Sequence, residues 1–294
     1  MTRRFEIYAP LQEFRWSGSN HELLAGLRIK RLDDIPDLRG LEATLAEEER
    51  RSMSSVSHWL VFDWKENTDP SPAETMNLVL LALWLVKPTK THVAFRFQLG
   101  NEAAAAEKSR PRVLDRFAWV SGATHNAFGD SDLQLATTYC QTLHDVCRPR
   151  GRLNDALILT ATGCWSHQWQ VALICHAAAA EALLTYSTAP RITDRLATSY
   201  ACLVETQTPL RDTAYREFRA LYSARSDIMH GRTHKVVPSE RLPLLVRFQN
   251  LLRTLWSVVL ASPHLIAVLE DSDAQRKAYF APLTSGYTPP EGDR

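Results

Sequence analysis

The sequence predicts an α+β protein: a small mixed α/β N-terminal domain followed by an all-α antiparallel helical bundle. Three observations carry this. Before residue 120, apolar and polar residues alternate at the period of strands. After Asp130 the apolar residues recur at helical spacing, in runs closed by Pro or Gly. Between them, residues 121–130 hold Ser121, Gly122, Asn126 and Gly129, a turn composition throughout. The expected division is 1–128 for the mixed domain and 129–283 for the bundle. Residues 284–294, rich in Thr, Pro and Gly, read as a disordered tail.

In the first half, residues 5–9, 27–30, 58–64 and 92–97 alternate as strands, with 116–120 a weaker fifth, making a small mixed sheet. Residues 37–53, charged and rich in Leu, Ala and Glu, read as an exposed helix. Ser71-Pro-Ala-Glu74 is a helix start, with Ser as N-cap, Pro at the first helical position and Glu placed for a capping box. The helix it opens runs through Leu78, Leu81 and Leu85 and stops before Pro88. His21, His58, His92 and His125 are scattered singly and form no catalytic set, and Trp59 and Trp64 read as core. With no motif of its own, this half is expected to sense or select a target.

In the second half, Ser131 can cap a helix carrying Leu133, Ala136, Cys140, Leu143 and Cys147. A second helix runs from Leu153 to about Ala161 and breaks at Gly163; helicity resumes over residues 166–186. Others follow over residues 192–204 and 210–230. The last long one carries Leu242, Leu245, Phe248, Leu252, Leu255 and Val259, and Pro263 stops it. Short polar loops between amphipathic helices give an antiparallel bundle.

Composition bounds the function. With 294 residues, 45% apolar and 23% charged, the chain can bury a substantial core. A formal charge of +1 excludes a general, sequence-blind DNA coat, but residues 211–253 carry nine Lys or Arg against four Asp or Glu, a local +5 that suits a phosphate-bearing partner. The five cysteines lack a Cys-x-x-Cys pair and mostly occupy apolar helix positions, as in a reducing compartment. The first residues lack the apolar run of a secretory signal, and the longest apolar run, residues 78–86, is too short for a bilayer. A cytoplasmic setting without membrane contact is expected.

The stretch with chemistry in it is 210–231. At helical period Ala214, Phe218, Leu221, Tyr222, Ile228 and Met229 share one stripe, and Arg225 stands where that stripe calls for another apolar residue. An inward arginine is costly unless a partner or ligand meets its charge. His230 follows, then Gly231 as helix stop. Five helical residues turn about 140°, so Arg225 and His230 converge only where the last turn loosens or across a two-fold axis. Glu181 shares a face with Ile174, Ala177 and Ala178, a second ionisable group aimed at a packed surface. It is a natural ion-pair partner for Arg225. Cys164, His167, Cys175 and His176 lack the four-ligand spacing of a zinc site, so no metal and no cofactor is expected.

At these residues the chain resembles the HEPN superfamily. Arg225-Ser-Asp-Ile-Met-His230 matches its Arg-x4–6-His motif. The flanks resemble the Apea-like branch: Ala179-Ala-Glu181-Ala-Leu-Leu184, then a Leu- and Ala-bearing helix, then residues 221–231. The likeness runs from about Leu133 onward. It implies a homodimeric, metal-independent endoribonuclease in which Arg225 and His230 of two protomers line one cleft. The attack of the ribose 2′-OH would leave a 2′,3′-cyclic phosphate and a 5′-hydroxyl. It also implies an anti-phage or toxin-like setting, tRNA as a target, and a regulatory or antitoxin partner. Ser226 and Asp227 occupy the polar part of the motif, where many relatives have Asn directly after the Arg; Tyr222, one turn earlier, can reach a phosphate or pack. Two other classes stay open: a non-catalytic module binding RNA, a nucleotide or a protein, and a scaffold in which Arg225 and Glu181 only pair.

Overall fold

The structure, a computed structural model, describes residues 3–36, 45–67, 70–100, 112–113, 127–147, 151–166, 168–186, 192–232 and 236–290. The fold is α+β. The chain divides into two compact units, one of residues 1–117 with 123–144, the other of 118–122 with 145–294.

Among the described residues the first unit has six strands: β1 (Arg4–Leu11), β2 (Asn20–Leu24), β3 (Leu27–Arg31), β4 (His58–Lys65), β5 (Phe95–Gly100) and β6 (Arg112–Val113). Their order is β2-β3-β4-β1-β5-β6, and every ladder is antiparallel, so the expected mixed sheet is corrected to an antiparallel one. Register explains both faces. Tyr8 stands opposite Val61 and Phe97, and with Trp59 and Phe95 these make one core that Leu45, Val56 and Met53 cover. Met53 ends α1 (Glu47–Met53), all that is described of the helix expected over 37–53. The other face carries the cross-strand rows Ile29–Leu60–Ala9 and Leu27–Phe62–Ile7. The expected strand 116–120 lies outside the described residues.

Helix α2 (Pro72–Val86) begins as its sequence dictates. Ser71 Oγ accepts the Glu74 N–H at 3.3 Å, and the Glu74 carboxylate accepts the Ser71 N–H at 2.7 Å. From Leu78 to Leu85 every residue is buried, the pattern of a helix enclosed on all sides. Helix α3 (Asp130–Cys147) belongs to this unit as far as His144, which moves the boundary expected at residue 128. Side chains hold it there. Trp16 Nε1 donates to Asp130 (2.7 Å), His21 Nε2 meets Thr137 Oγ1 (2.8 Å), and Lys87 pairs with Asp132.

The second unit contains α4 (Arg152–Trp165), α5 (Trp169–Leu184), α6 (Ile192–Val204), α7 (Thr208–Met229), α8 (Pro238–Leu260), α9 (Pro263–Glu270) and α10 (Asp273–Ser285). Helices α4 and α5 are antiparallel: Arg152, at the start of α4, donates to the carbonyls of Ala182 and Thr185 at the end of α5. The helix does not break at Gly163, because the missing side chain there is filled by the ring of His176. Trp256 of α8 donates to Thr160 of α4 across the core (2.9 Å). Pro263 does more than stop α8. It opens α9, with Ser262 accepting the Leu265 N–H at 3.2 Å. Nor are residues 284–290 a disordered tail: Tyr287 is 8% exposed and its hydroxyl donates to Asp212 at 2.9 Å. Among the described residues no single helix is long and apolar enough to cross a membrane.

Candidate active site

Helix α7 carries the motif. Its apolar stripe is seated as expected: Phe218, Leu221, Tyr222 and Ile228 are buried, joined by Tyr215. Phe218 is the hub, tilted against Tyr200 (5.1 Å) and Phe248 (6.3 Å) and stacked on Tyr222 (6.0 Å). Arg225 and Met229 fall within about 20° of Phe218 around the helix, yet neither is enclosed. Met229 is 54% exposed, against the expectation that it would pack. The azimuth does not decide it: in the same last turn Ile228 is buried and Met229 is left exposed.

Arg225 sits at the rim. Its side chain is 28% exposed, and Nη2 pairs with Glu181 Oε1 of α5 at 3.1 Å. The Tyr222 hydroxyl donates to the same Glu181 oxygen, and the guanidinium lies 5.5 Å from the Tyr222 ring centre. Arg225 Nε is buried and makes no hydrogen bond among the described residues. Burial, then the hydrogen bond and charge of Glu181, raise the Tyr222 pKa, with Arg225 opposing; Tyr222 is a protonated donor at any physiological pH. Of the two roles weighed for Tyr222, the structure shows the packing; its hydroxyl is engaged by Glu181 of the ion pair.

The end of α7 is a Schellman turn. Gly231 takes φ +72°, its N–H donates to Ile228 O (3.0 Å), and the Arg232 N–H donates to Asp227 O (2.7 Å). His230, the C-cap, is exposed, and its ring makes no hydrogen bond or ion pair among the described residues. Its N–H is taken by Ser226 O at 3.1 Å. The carboxylate of Asp227 is paired with Arg232 Nε at 2.8 Å, a contact the sequence reading missed although the two lie one helical turn and a bend apart. The structure thus brings Arg225, Glu181 and Tyr222 together, and presents His230 on the next turn, facing solvent.

The local +5 is less available than its count suggests. Arg219 pairs with Asp194 (2.9 Å), Arg247 with Glu217 (3.3 Å) and Arg232 with Asp227, while Arg211 donates to Glu205 O and Arg241 lies over Trp169. The partners of Arg219 and Arg225 lie on other helices, outside the counted window. His176 is enclosed completely and hydrogen-bonded to Gln249 (3.3 Å), a core residue. His167 lies outside the described residues. Among those described, no three His, Cys, Asp or Glu side chains gather as a metal set. Compared with family models, curated proteins and solved structures, the chain gives no match.

Proposed function

We propose that the helical unit is a metal-independent endoribonuclease of the HEPN type, with Arg225 and His230 as its reacting residues. One observation carries the reading: a guanidinium held at the rim of an aromatic core, partly open, one turn before an exposed imidazole at a helix end. Arginine suits a phosphate because its planar fork stays charged and reaches two oxygens at once. A histidine titrates near neutrality, so it can take the 2′-OH proton and return one to the departing 5′-oxygen. The 2′-oxygen bonds to phosphorus, the P–O5′ bond breaks, and the products are a 2′,3′-cyclic phosphate and a 5′-hydroxyl. Arg225 stabilises the charge that builds on the phosphoryl oxygens.

Because the two side chains emerge about 140° apart on one helix, a second copy completes the cleft. Met229, Val237 and Leu242, which flank His230 in sequence, are 54%, 51% and 44% exposed and offer apolar surface for it. The substrate in this reading is RNA, with tRNA as a target, in a cytoplasmic anti-phage or toxin-like setting that requires a restraining partner. The first unit selects the target or senses the trigger.

A second reading has its own observation: Arg225 already holds an acceptor, Glu181, within its own chain. A non-catalytic module binding RNA, a nucleotide or a protein needs no imidazole beside it. Inducible expression separates the two. The nuclease arrests growth and fragments RNA, and Arg225→Ala and His230→Ala each abolish both effects while retaining wild-type circular dichroism. If both variants act like wild type, the binding module stands instead.

A further inference from the structure

Glu181 presents a single oxygen to two donors. Oε1 receives Nη2 of Arg225 and the hydroxyl of Tyr222, which is 2% exposed and stacked on Phe218, so the carboxylate is anchored from below by a rigid group. Its hold on Arg225 is an ion pair, Nη2 to Oε1 at 3.1 Å, at a site 28% open on the arginine side. Among the described residues, Arg225 Nε is left without an acceptor in a buried position. A carboxylate oxygen and a phosphodiester oxygen are equivalent acceptors for that guanidinium, and the two anions repel when both are near it.

We propose that Glu181 is an internal stand-in for the substrate phosphate: in the resting chain it holds Arg225 as an ion pair, and a phosphodiester must displace it to bind. This rests on the ribonuclease reading of Arg225. It deepens that reading by making the site self-restrained. The ion pair keeps the guanidinium folded against its own helix pair, and an RNA strand, contributing several phosphates to a bound complex, supplies the attraction that releases it.

The test is fluorescence anisotropy with a labelled, mixed-sequence 2′-O-methyl oligonucleotide, which has no 2′-OH to react, so binding is read without cleavage. Glu181→Gln is nearly isosteric, keeps an acceptor for Tyr222 and removes the competing charge. It is expected to tighten binding about tenfold, the scale on which removing an adjacent like charge acts. The double variant E181Q/R225A is expected to show none of that gain. Glu181→Ala gives the same direction and replaces the Gln variant should it fail to fold. Unchanged or weaker binding in the charge-free variant, or a gain that persists without Arg225, overturns the proposal. The failure of the enzyme reading looks different: an unmodified oligoribonucleotide of the same sequence stays intact with wild type, while the anisotropy comparison still decides the role of Glu181.

Discussion

Gly163 is a tightly packed backbone position in the helical unit, and its substitution makes a prediction with a sign. A Cβ at residue 163 would stand 2.5 Å from His176 Nδ1 and 2.6 Å from Cε1, with the Ala172 carbonyl oxygen at 3.1 Å. His176 is 0% exposed and hydrogen-bonded to Gln249, so its ring cannot swing aside. Two effects oppose each other. Replacing Gly by Ala inside a helix gains about 1 kcal/mol of propensity. Forcing a methyl into a filled core costs about 1–3 kcal/mol. Since the clash is with an enclosed ring and with backbone, the second wins, and Gly163→Ala is expected to destabilise the unit by up to about 2 kcal/mol. In a His176→Ala background the ring is gone and the methyl enters vacated space, so the same substitution stabilises by up to about 1 kcal/mol. Hydrogen exchange of the α4 and α5 amides reads this unit by itself, with urea unfolding of the full chain alongside. Gly163→Ala carrying the same sign in both backgrounds refutes the idea that His176 is what the glycine accommodates.

Other outcomes follow from the same contacts. Burial holds the His176 pKa down to about 3, below its unfolded value of about 6.5. The unfolded chain therefore binds the proton first, and the stability present above pH 6.5 is lost as pH falls toward 3, at about 1.4 kcal/mol per unit. Denaturant unfolding at pH 7 and 5 should show this loss, and His176→Gln should flatten it by one proton; equal slopes contradict it. His58, also held down chiefly by burial, adds loss in the same direction. Tyr287→Phe removes the hydrogen bond to Asp212 and is expected to cost about 1 kcal/mol, read as faster amide exchange in α6 and α7. No change there shows that residues 286–290 do not hold those helices together.

What the sequence disclosed and what it withheld divide along the range of the interactions. Local chemistry was legible. The Ser71–Glu74 box opened α2, Gly231 closed α7 in a left-handed turn, and the stripe through Phe218 pointed Arg225 inward toward Glu181. Long-range chemistry was not. Gly163 looks like a breaker until His176 is known to fill its place, and the basic excess of 211–253 looks free until Asp194 and Glu181 arrive from other helices. Proline misled in both senses: Pro263 reads as a stop but also begins α9, and Pro282 lies inside α10, a helix the periodicity did not announce. The azimuth of Met229 predicts burial, but a helical wheel does not say which side chains of the last turn find a neighbour. Helix α3 shows the same gap, since its own amphipathic pattern does not say whether a sheet or a bundle receives it.

The proposed chemistry stands on Arg225 and His230 acting on a phosphodiester, and the ends of the RNA fragments test that most directly. Purified chain incubated with RNA in the presence of a chelator should leave 2′,3′-cyclic phosphates and 5′-hydroxyls, and Arg225→Ala and His230→Ala should leave the RNA whole. Fragments with 3′-hydroxyl and 5′-phosphate ends, or cleavage that survives in either variant, contradict it.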